Sequence, residues 1–539
     1  MYGTFWALIP PIVAIVLALI TKEVYSSLFV GIIVGGAFYA GNFVGAMNHI
    51  FSEGLIAQLA DSYNMGILVF LVFLGAIVCL MNKAGGSAAF GEWASTHIKT
   101  RVGAQLTTIL LGCLIFIDDY FNCLTVGSVM RPVTDRHNVS RAKLAYLIDA
   151  TAAPVCIIAP ISSWAAAVSG FAPEGTNGMY LFIRAIPYNY YALLTILMMV
   201  GLTIAKVDYG PMARFEKNAL KGDIFSGKKL MAEDDSQIAK GKGKVIDLIF
   251  PIVILIIACV IGMIYSGGFF DGESFIDAFA ASDASVGLVL GSFAALVITI
   301  VFLVSRKVLP FKECMNCITD GFKAMVPAIT ILALAWTLKG MTDSLGAAEY
   351  VAGLVEKSAG SLLSFLPAIV FVIACFLAFA TGTSWGTFGI LIPICLKVFP
   401  LESGNSLSII CVSACMAGAV CGDHCSPISD TTIMSSAGAQ CDHIDHVSTQ
   451  LPYAVSAAAV SFVTYIVAGF VKNPVISLCV GILLMMIVII VLRYAMSEER
   501  RQDTESSGKE DPSAVAGISA AVKTPEAVSS EKDSEAADK

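Results

Sequence analysis

The stretch Ala159-Pro160-Ile161-Ser162-Ser163 returns in the second half of the chain as Ser426-Pro427-Ile428-Ser429-Asp430, each time within a long apolar run. Each copy follows another polar interruption, Phe116-Ile117-Asp118-Asp119-Tyr120-Phe121-Asn122 in the first half and Phe379-Ala380-Thr381-Gly382-Thr383-Ser384-Trp385 in the second. Proline removes a helical hydrogen bond and clashes with the preceding turn, so an apolar helix carrying this motif is expected to break. Broken backbone at bilayer depth is tolerated only where protein or a water-filled cavity surrounds it. Charged and hydroxyl groups there are expensive and mark function. A doubled set of them is the pattern of a carrier's binding site.

Composition agrees with a membrane setting: 57% hydrophobic residues, 14% charged and a mean hydropathy of +0.80. Apolar segments of roughly 20 residues, the length a helix needs to cross, recur along almost the whole chain. Period-2 alternation is missing, so a helical bundle is expected and a β-barrel is not. The first segment, 5–20, lacks a preceding basic residue and a cleavage pattern, and reads as a retained span. The net charge of −8 lies largely in loops and tail and implies no nucleic-acid partner. The 15 cysteines sit mainly in apolar runs, as small hydrophobes. Cys314 and Cys317 lack a second pair to complete a zinc site. The polar run 441–446, Cys-Asp-His-Ile-Asp-His, could bind a cation but is read as a solvated loop.

Further landmarks recur in the same order. Residues 81–90 resemble 341–350, 46–50 resemble 314–318, and Pro11 matches Pro251. Between the halves, 206–244 carries nine Lys and Arg. Basic loops stay cytoplasmic. The basic loops 83–101 and 131–143 have neutral or mixed counterparts, 339–357 and 397–406, whereas 42–61 has no Lys or Arg and its counterpart has Arg306, Lys307 and Lys312. Equivalent loops therefore face opposite sides, and the repeats read as inverted. Too few residues separate 83–101 from 131–143 for two full crossings. A re-entrant hairpin with Asp118, Asp119 and Asn122 at its tip fits, and symmetry gives an opposite one with the tip 381–385.

The expected fold is an all-α integral membrane protein of two inverted repeats, each with a re-entrant hairpin and a broken transmembrane helix, about 11 spans plus two hairpins. The expected divisions are a first repeat at 1–205, a cytoplasmic linker at 206–245, a second repeat at 246–471, an extra span at 472–496 and a disordered cytoplasmic tail at 497–539. The N-terminus is then outside and the C-terminus inside.

Hard cations want oxygen ligands, and broken helices offer carbonyls and helix ends besides side chains. The candidate ion or substrate ligands are Asp118, Asp119, Asn122, Ser162 and Ser163 in the first repeat. Those of the second are Thr381, Thr383, Ser384, Asp423, His424, Ser426, Ser429 and Asp430. With hairpin one opposed to break two, the carboxylates Asp118, Asp119, Asp423 and Asp430 share one region as candidate Na⁺ ligands. Carboxylates held together share a proton that an arriving cation would expel. Bland roles compete. Asp118, Asp119 and Asp430 also fit helix caps, His424 fits a structural hydrogen bond or a proton relay, and Asp149 fits helix–helix glue or a proton site. Trp164 and Trp385 fit packing or an organic substrate. No Arg or Lys is evident near the motifs, which favours a bare cation over a carboxylate-bearing solute.

At residues 116–135, 379–394 and 422–432 (GDHCSPISDTT) the sequence resembles the NhaC family of bacterial Na⁺/H⁺ antiporters, within the ion transporter superfamily. The resemblance covers roughly 5–495. It implies a multi-pass protein of the bacterial inner membrane that exchanges Na⁺ for H⁺, needs no cofactor and is not an enzyme. It also implies a homodimer as an option, and relatives that exchange organic acids such as malate and lactate, or amino acids.

Overall fold

A computed structural model describes residues 2–507 apart from 22, 117, 161, 163, 166–167, 169–177, 228–242, 348, 351–352, 354–362 and 399–405. Among the described residues all regular structure is helical. Eight helices are long and apolar enough to cross a membrane, or nine if the pair Tyr180–Tyr188 and Tyr190–Ala205, bent by 49°, is one span. The chain is an all-helical, multi-pass integral membrane protein.

The first half runs α1 (Ile9–Thr21), α2 (Val24–Ala40), α3 (Ser62–Lys83), α4 (Gly86–His97), α5 (Arg101–Leu114), α6 (Asp119–Arg136), α7 (Arg141–Cys156) and α8 (Tyr190–Ala205). A short helix, α9 (Gly210–Ala219), follows. The second half runs α10 (Ile246–Ser266), α11 (Ala284–Ser305), α12 (Phe311–Ser344), α13 (Leu366–Thr381), α14 (Ser384–Val398), α15 (Ser406–Cys425), α16 (Asp430–Ala439) and α17 (His443–Val471). The final helix, α18, spans Pro474–Ser507 and so passes residue 497, where the sequence reading begins its tail; 508–539 lie outside the described residues. Residues up to Ile489 form one compact unit, and the rest of α18 belongs to another.

Helix starts in this interior have no water to satisfy their free N–H groups, so the sequence supplies side-chain caps. Asp118 accepts from Phe121 N at 3.0 Å to start α6, and Ser140 accepts from Lys143 N at 3.0 Å to start α7. Ser429 accepts from Thr432 N at 3.3 Å to start α16. Asp442 accepts from Asp445 N at 3.0 Å to start α17. The segment 441–446, read from sequence as a solvated loop, is thus the entry to a helix. His443, Asp445 and His446 are all buried. Lys339, placed by the sequence reading at the edge of a loop, lies inside the 34-residue α12.

Without a hydrophobic driving force between helices in lipid, close association rests on small residues that let backbones meet. Here α6 crosses α16 at Gly127 and Gly438, where a methyl group on either glycine would strike the backbone of the other helix. The tip residue Gly382, at φ +67°, sits against the Ile428 carbonyl of the second break. Burial follows: 94% of the apolar window in α15 is buried, against 39% in α10. The helices carrying the polar motifs form the interior, and apolar helices face outward.

On the side of the linker, α9 is fixed to the base of the first helix pair. Glu216 pairs with Arg101 and accepts from Ser140 N at 2.9 Å, while Lys143 Nζ donates to Asp208 at 2.7 Å. Burial, with the Asp208 carboxylate nearby, pushes Glu216 above the ordinary glutamate range.

Candidate transport site

The second break is the point where distant elements meet. Chain order separates α6 from α16 by hundreds of residues, yet Tyr120 Oη donates to Asp430 Oδ2 at 2.6 Å, and Cys123 lies 3.8 Å from the Thr431 carbonyl. From the other side, Ser426 Oγ donates to the Phe379 carbonyl at 2.8 Å and Ser384 Oγ to the Ala419 carbonyl at 3.2 Å. The tips around 118–122 and 381–385 therefore both bear on the break at 425–430.

Within that break the carboxylates are held by donors of their own segment. Asp430 Oδ1 accepts from Thr431 N at 2.8 Å, and Asp423 Oδ2 accepts from Thr431 Oγ1 at 3.0 Å. Ser429 Oγ lies 3.2 Å from Thr431 Oγ1. His424 Nδ1 faces Tyr191 Oη at 3.1 Å, leaving Nε2 without a partner among the described residues. Asp119 differs from the others. It is fully buried, and among the described residues neither of its carboxylate oxygens makes a hydrogen bond of good geometry. The Trp164 indole N–H is the donor beside it, and Asp118 and Asp430 are its charged neighbours. Asp423 has Asp430 and Asp149 as charged neighbours. The carboxylates thus form a chain from Asp118 through Asp430 to Asp423. Among the described residues no three His, Cys, Asp or Glu cluster tightly enough to cage a metal ion.

Other expected ligands hold the framework. Asn122 Nδ2 donates to the carbonyls of Gly112 and Ile115, each at 2.7 Å, tying the start of α6 to the end of α5. Ser162 Oγ bonds the carbonyls of Cys156 at 2.8 Å and Ala159 at 3.1 Å, so the first break closes on itself. Ser163 lies outside the described residues. Thr381 Oγ1 bonds the Leu377 carbonyl at 2.8 Å, and Thr383 Oγ1 accepts from Gly386 N at 3.4 Å.

A cavity of about 510 Å³ reaches this meeting point. It runs from exposed Asp61, past Gln58, Tyr63 and Asn64, to the tip residues Thr381–Thr383 and to buried Asp430. Trp385 lines it and packs on Trp164 at 5.7 Å between ring centroids. Lys339 lines it as well, 2.9 Å from Asp343. Sequence reading found no such cation near the motifs. Lys339 precedes the Thr381 tip by a helix and a connection, and only the fold brings it in. Tyr63 and Tyr120 were missed for the same reason; tyrosine carries no signal of its own in an apolar run.

The match to known proteins is consistent with this arrangement. The model of the Na⁺/H⁺ antiporter family matches residues 155–470. An uncharacterized protein of Haemophilus influenzae is 40% identical over 491 residues, 87% of this chain and 91% of that one. The malate-2H⁺/Na⁺-lactate antiporter of Bacillus subtilis is 28% identical over 30% of this chain and 33% of its own. The arginine/ornithine antiporter ArcD of Halobacterium salinarum is 33% identical over 21% of this chain and 24% of its own. The chain is a secondary antiporter rather than an enzyme, and it belongs to the Na⁺/H⁺ antiporter family.

Proposed function

We propose that the protein exchanges Na⁺ for H⁺ across the bacterial inner membrane, with the cation received between Asp119 and Asp430. The observation that carries this reading is Asp119. A fully buried carboxylate beside one indole N–H, with no hydrogen bond of good geometry among the described residues, is costly, and an arriving cation would supply a charged partner. Asp430, at the end of the cavity, gives the cation a route to it. Two carboxylates in a dry site cannot both stay ionised cheaply, so either a proton or Na⁺ compensates them, but not both. This competition is antiport without a separate proton channel. Under the positive-inside rule the N-terminus is outside and the C-terminus cytoplasmic, so the cavity opens outward. Inverted repeats with paired hairpins supply the opposite opening.

A second reading rests on Lys339. A cavity of about 510 Å³ holding a lysine, two carboxylates and aromatic walls exceeds what a bare ion needs and suits a solute bearing a carboxylate. Two relatives, a malate-2H⁺/Na⁺-lactate antiporter and an arginine/ornithine antiporter, point the same way. Proteoliposomes given a Na⁺ gradient, with internal pH followed by a dye, separate the readings. Proton movement without organic solute supports Na⁺/H⁺ exchange. Movement only when malate, lactate or an amino acid is added supports the second reading instead.

A further inference from the structure

Behind the second break, away from the cavity, a second set of titratable groups is sealed in the protein. Asp149 of α7 and His446 of α17 are both fully buried, with Oδ2 and Nε2 3.5 Å apart. Neither ring nitrogen of His446 has a hydrogen bond among the described residues. Asp149 is by contrast well supplied. Its carboxylate accepts from Thr432 Oγ1 at 3.4 Å and Ser435 Oγ at 3.1 Å, both on α16, and from Gln450 Nε2 at 2.5 Å. The same Gln450 amide donates to the His424 carbonyl at 2.9 Å, at the end of α15. Asp149 therefore grips both sides of the second break through uncharged donors, while an imidazole with no hydrogen bond of good geometry among the described residues stands 3.5 Å from it.

We propose that His446 is a second proton site of the exchanger, protonated together with the carboxylate pair, and that Asp149 relays its charge state to the second break; this rests on the antiport reading above. A proton taken by the imidazole turns a lone carboxylate and a neutral ring into an ion pair. The imidazolium N–H then competes for Oδ2, which already accepts from Thr432 and Gln450, and a donor that is itself charged displaces uncharged ones at the same oxygen. The bonds to Thr432 and Gln450 weaken as that pair forms, which frees α16 from the end of α15. Asp430, on the first turn of α16, moves with it, so proton uptake alters the site at the end of the cavity. Loss of the proton restores the grip.

The other groups facing the pair come from every helix around it. From α15 these are Asp423, His424 and Cys425, and from α17 His443. From α6 comes Cys123, from α16 Asp430, and from α8 Tyr191 through His424. Among them Asp423 and His424 are the competing proton carriers, since Asp423 Oδ1 and His424 Nε2 also make no hydrogen bond among the described residues.

Two measurements decide. In the purified full chain, labelled with ¹⁵N-histidine, one imidazole signal should change protonation form across a pH series, vanish in His446→Gln and be displaced in Asp149→Asn. A His446 signal that stays in one form throughout overturns the proposal, whatever the transported solute. In proteoliposomes, His446→Gln should lower Na⁺-driven proton movement about tenfold or more while exchange of labelled for unlabelled Na⁺ stays within about threefold. Equal loss of both activities marks a structural role and overturns it, as does retention of both. A wild-type protein that moves no protons under a Na⁺ gradient sinks the antiport reading alone, and the titration then judges the proton site.

Discussion

The two breaks share a Pro-Ile-Ser sequence and have opposite economies of hydrogen bonding. At the first, Ser162 satisfies the carbonyls of its own turn and accepts from Ala165 N at 3.2 Å, with no carboxylate in the turn. At the second, Ser426 reaches out to Phe379, Asp430 takes its bond from Tyr120, and Asp149 of the first half takes bonds from Thr432 and Ser435. A neutral turn can satisfy its carbonyls locally, as Ser162 does. A charged one cannot, so it recruits partners from both halves of the chain. Repetition supplies two similar bends; divergence in charge makes one of them the junction of the molecule.

The largest effect that this contrast predicts is loss of transport. Asp119→Asn and Asp430→Asn should lower exchange at least about a hundredfold in proteoliposomes, with normal membrane insertion, while Ser162→Ala stays within about threefold. Similar losses in all three would erase the distinction between the breaks. Asp118→Asn sharpens it within one tip. Asparagine caps a helix about as well as aspartate, so this variant should retain far more activity than Asp119→Asn. Equal loss would make Asp118 a ligand rather than a cap.

Next comes the seat of α6 on α16. Gly438→Val places a branched side chain against the Cys123 backbone and should destabilise by about 1–3 kcal/mol, read as a lower melting midpoint in detergent. An unchanged midpoint would mean that the crossing is not tight. The smallest effect concerns the linker. Glu216 binds its proton more readily folded than unfolded, so the folded state holds more protons between the ordinary glutamate value and the raised one. Its contribution to stability therefore falls as pH rises through that window. Glu216→Gln should flatten this part of the melting profile, and an unchanged slope would assign it elsewhere.

Much of this was legible in sequence because prolines, carboxylates and hydroxyls in apolar runs have few structural excuses. The sequence reading opposed residues 118–122 to the second break, and Tyr120 donates to Asp430 there. What stayed hidden depended on contacts across the chain. The run 441–446 looks like a loop because its charges mask the helical period, yet residues 443–446 are buried, with His446 against Asp149 of α7. Gln450 gave no warning either; its amide matters only because Asp149 and the His424 carbonyl converge on it. Lys339 falls in the loop 339–357 of the sequence reading, whereas α12 runs through it and brings it to the cavity.

The central claim is that Asp119 and Asp430 receive the cation, and ligand-linked stability tests it without assuming a transported solute. A cation that binds only the folded state raises its melting temperature. Wild type and Ser162→Ala should melt higher in NaCl than in choline chloride of equal ionic strength, and Asp119→Asn and Asp430→Asn should show no such difference. A Na⁺-specific rise that survives in both aspartate variants would contradict the account.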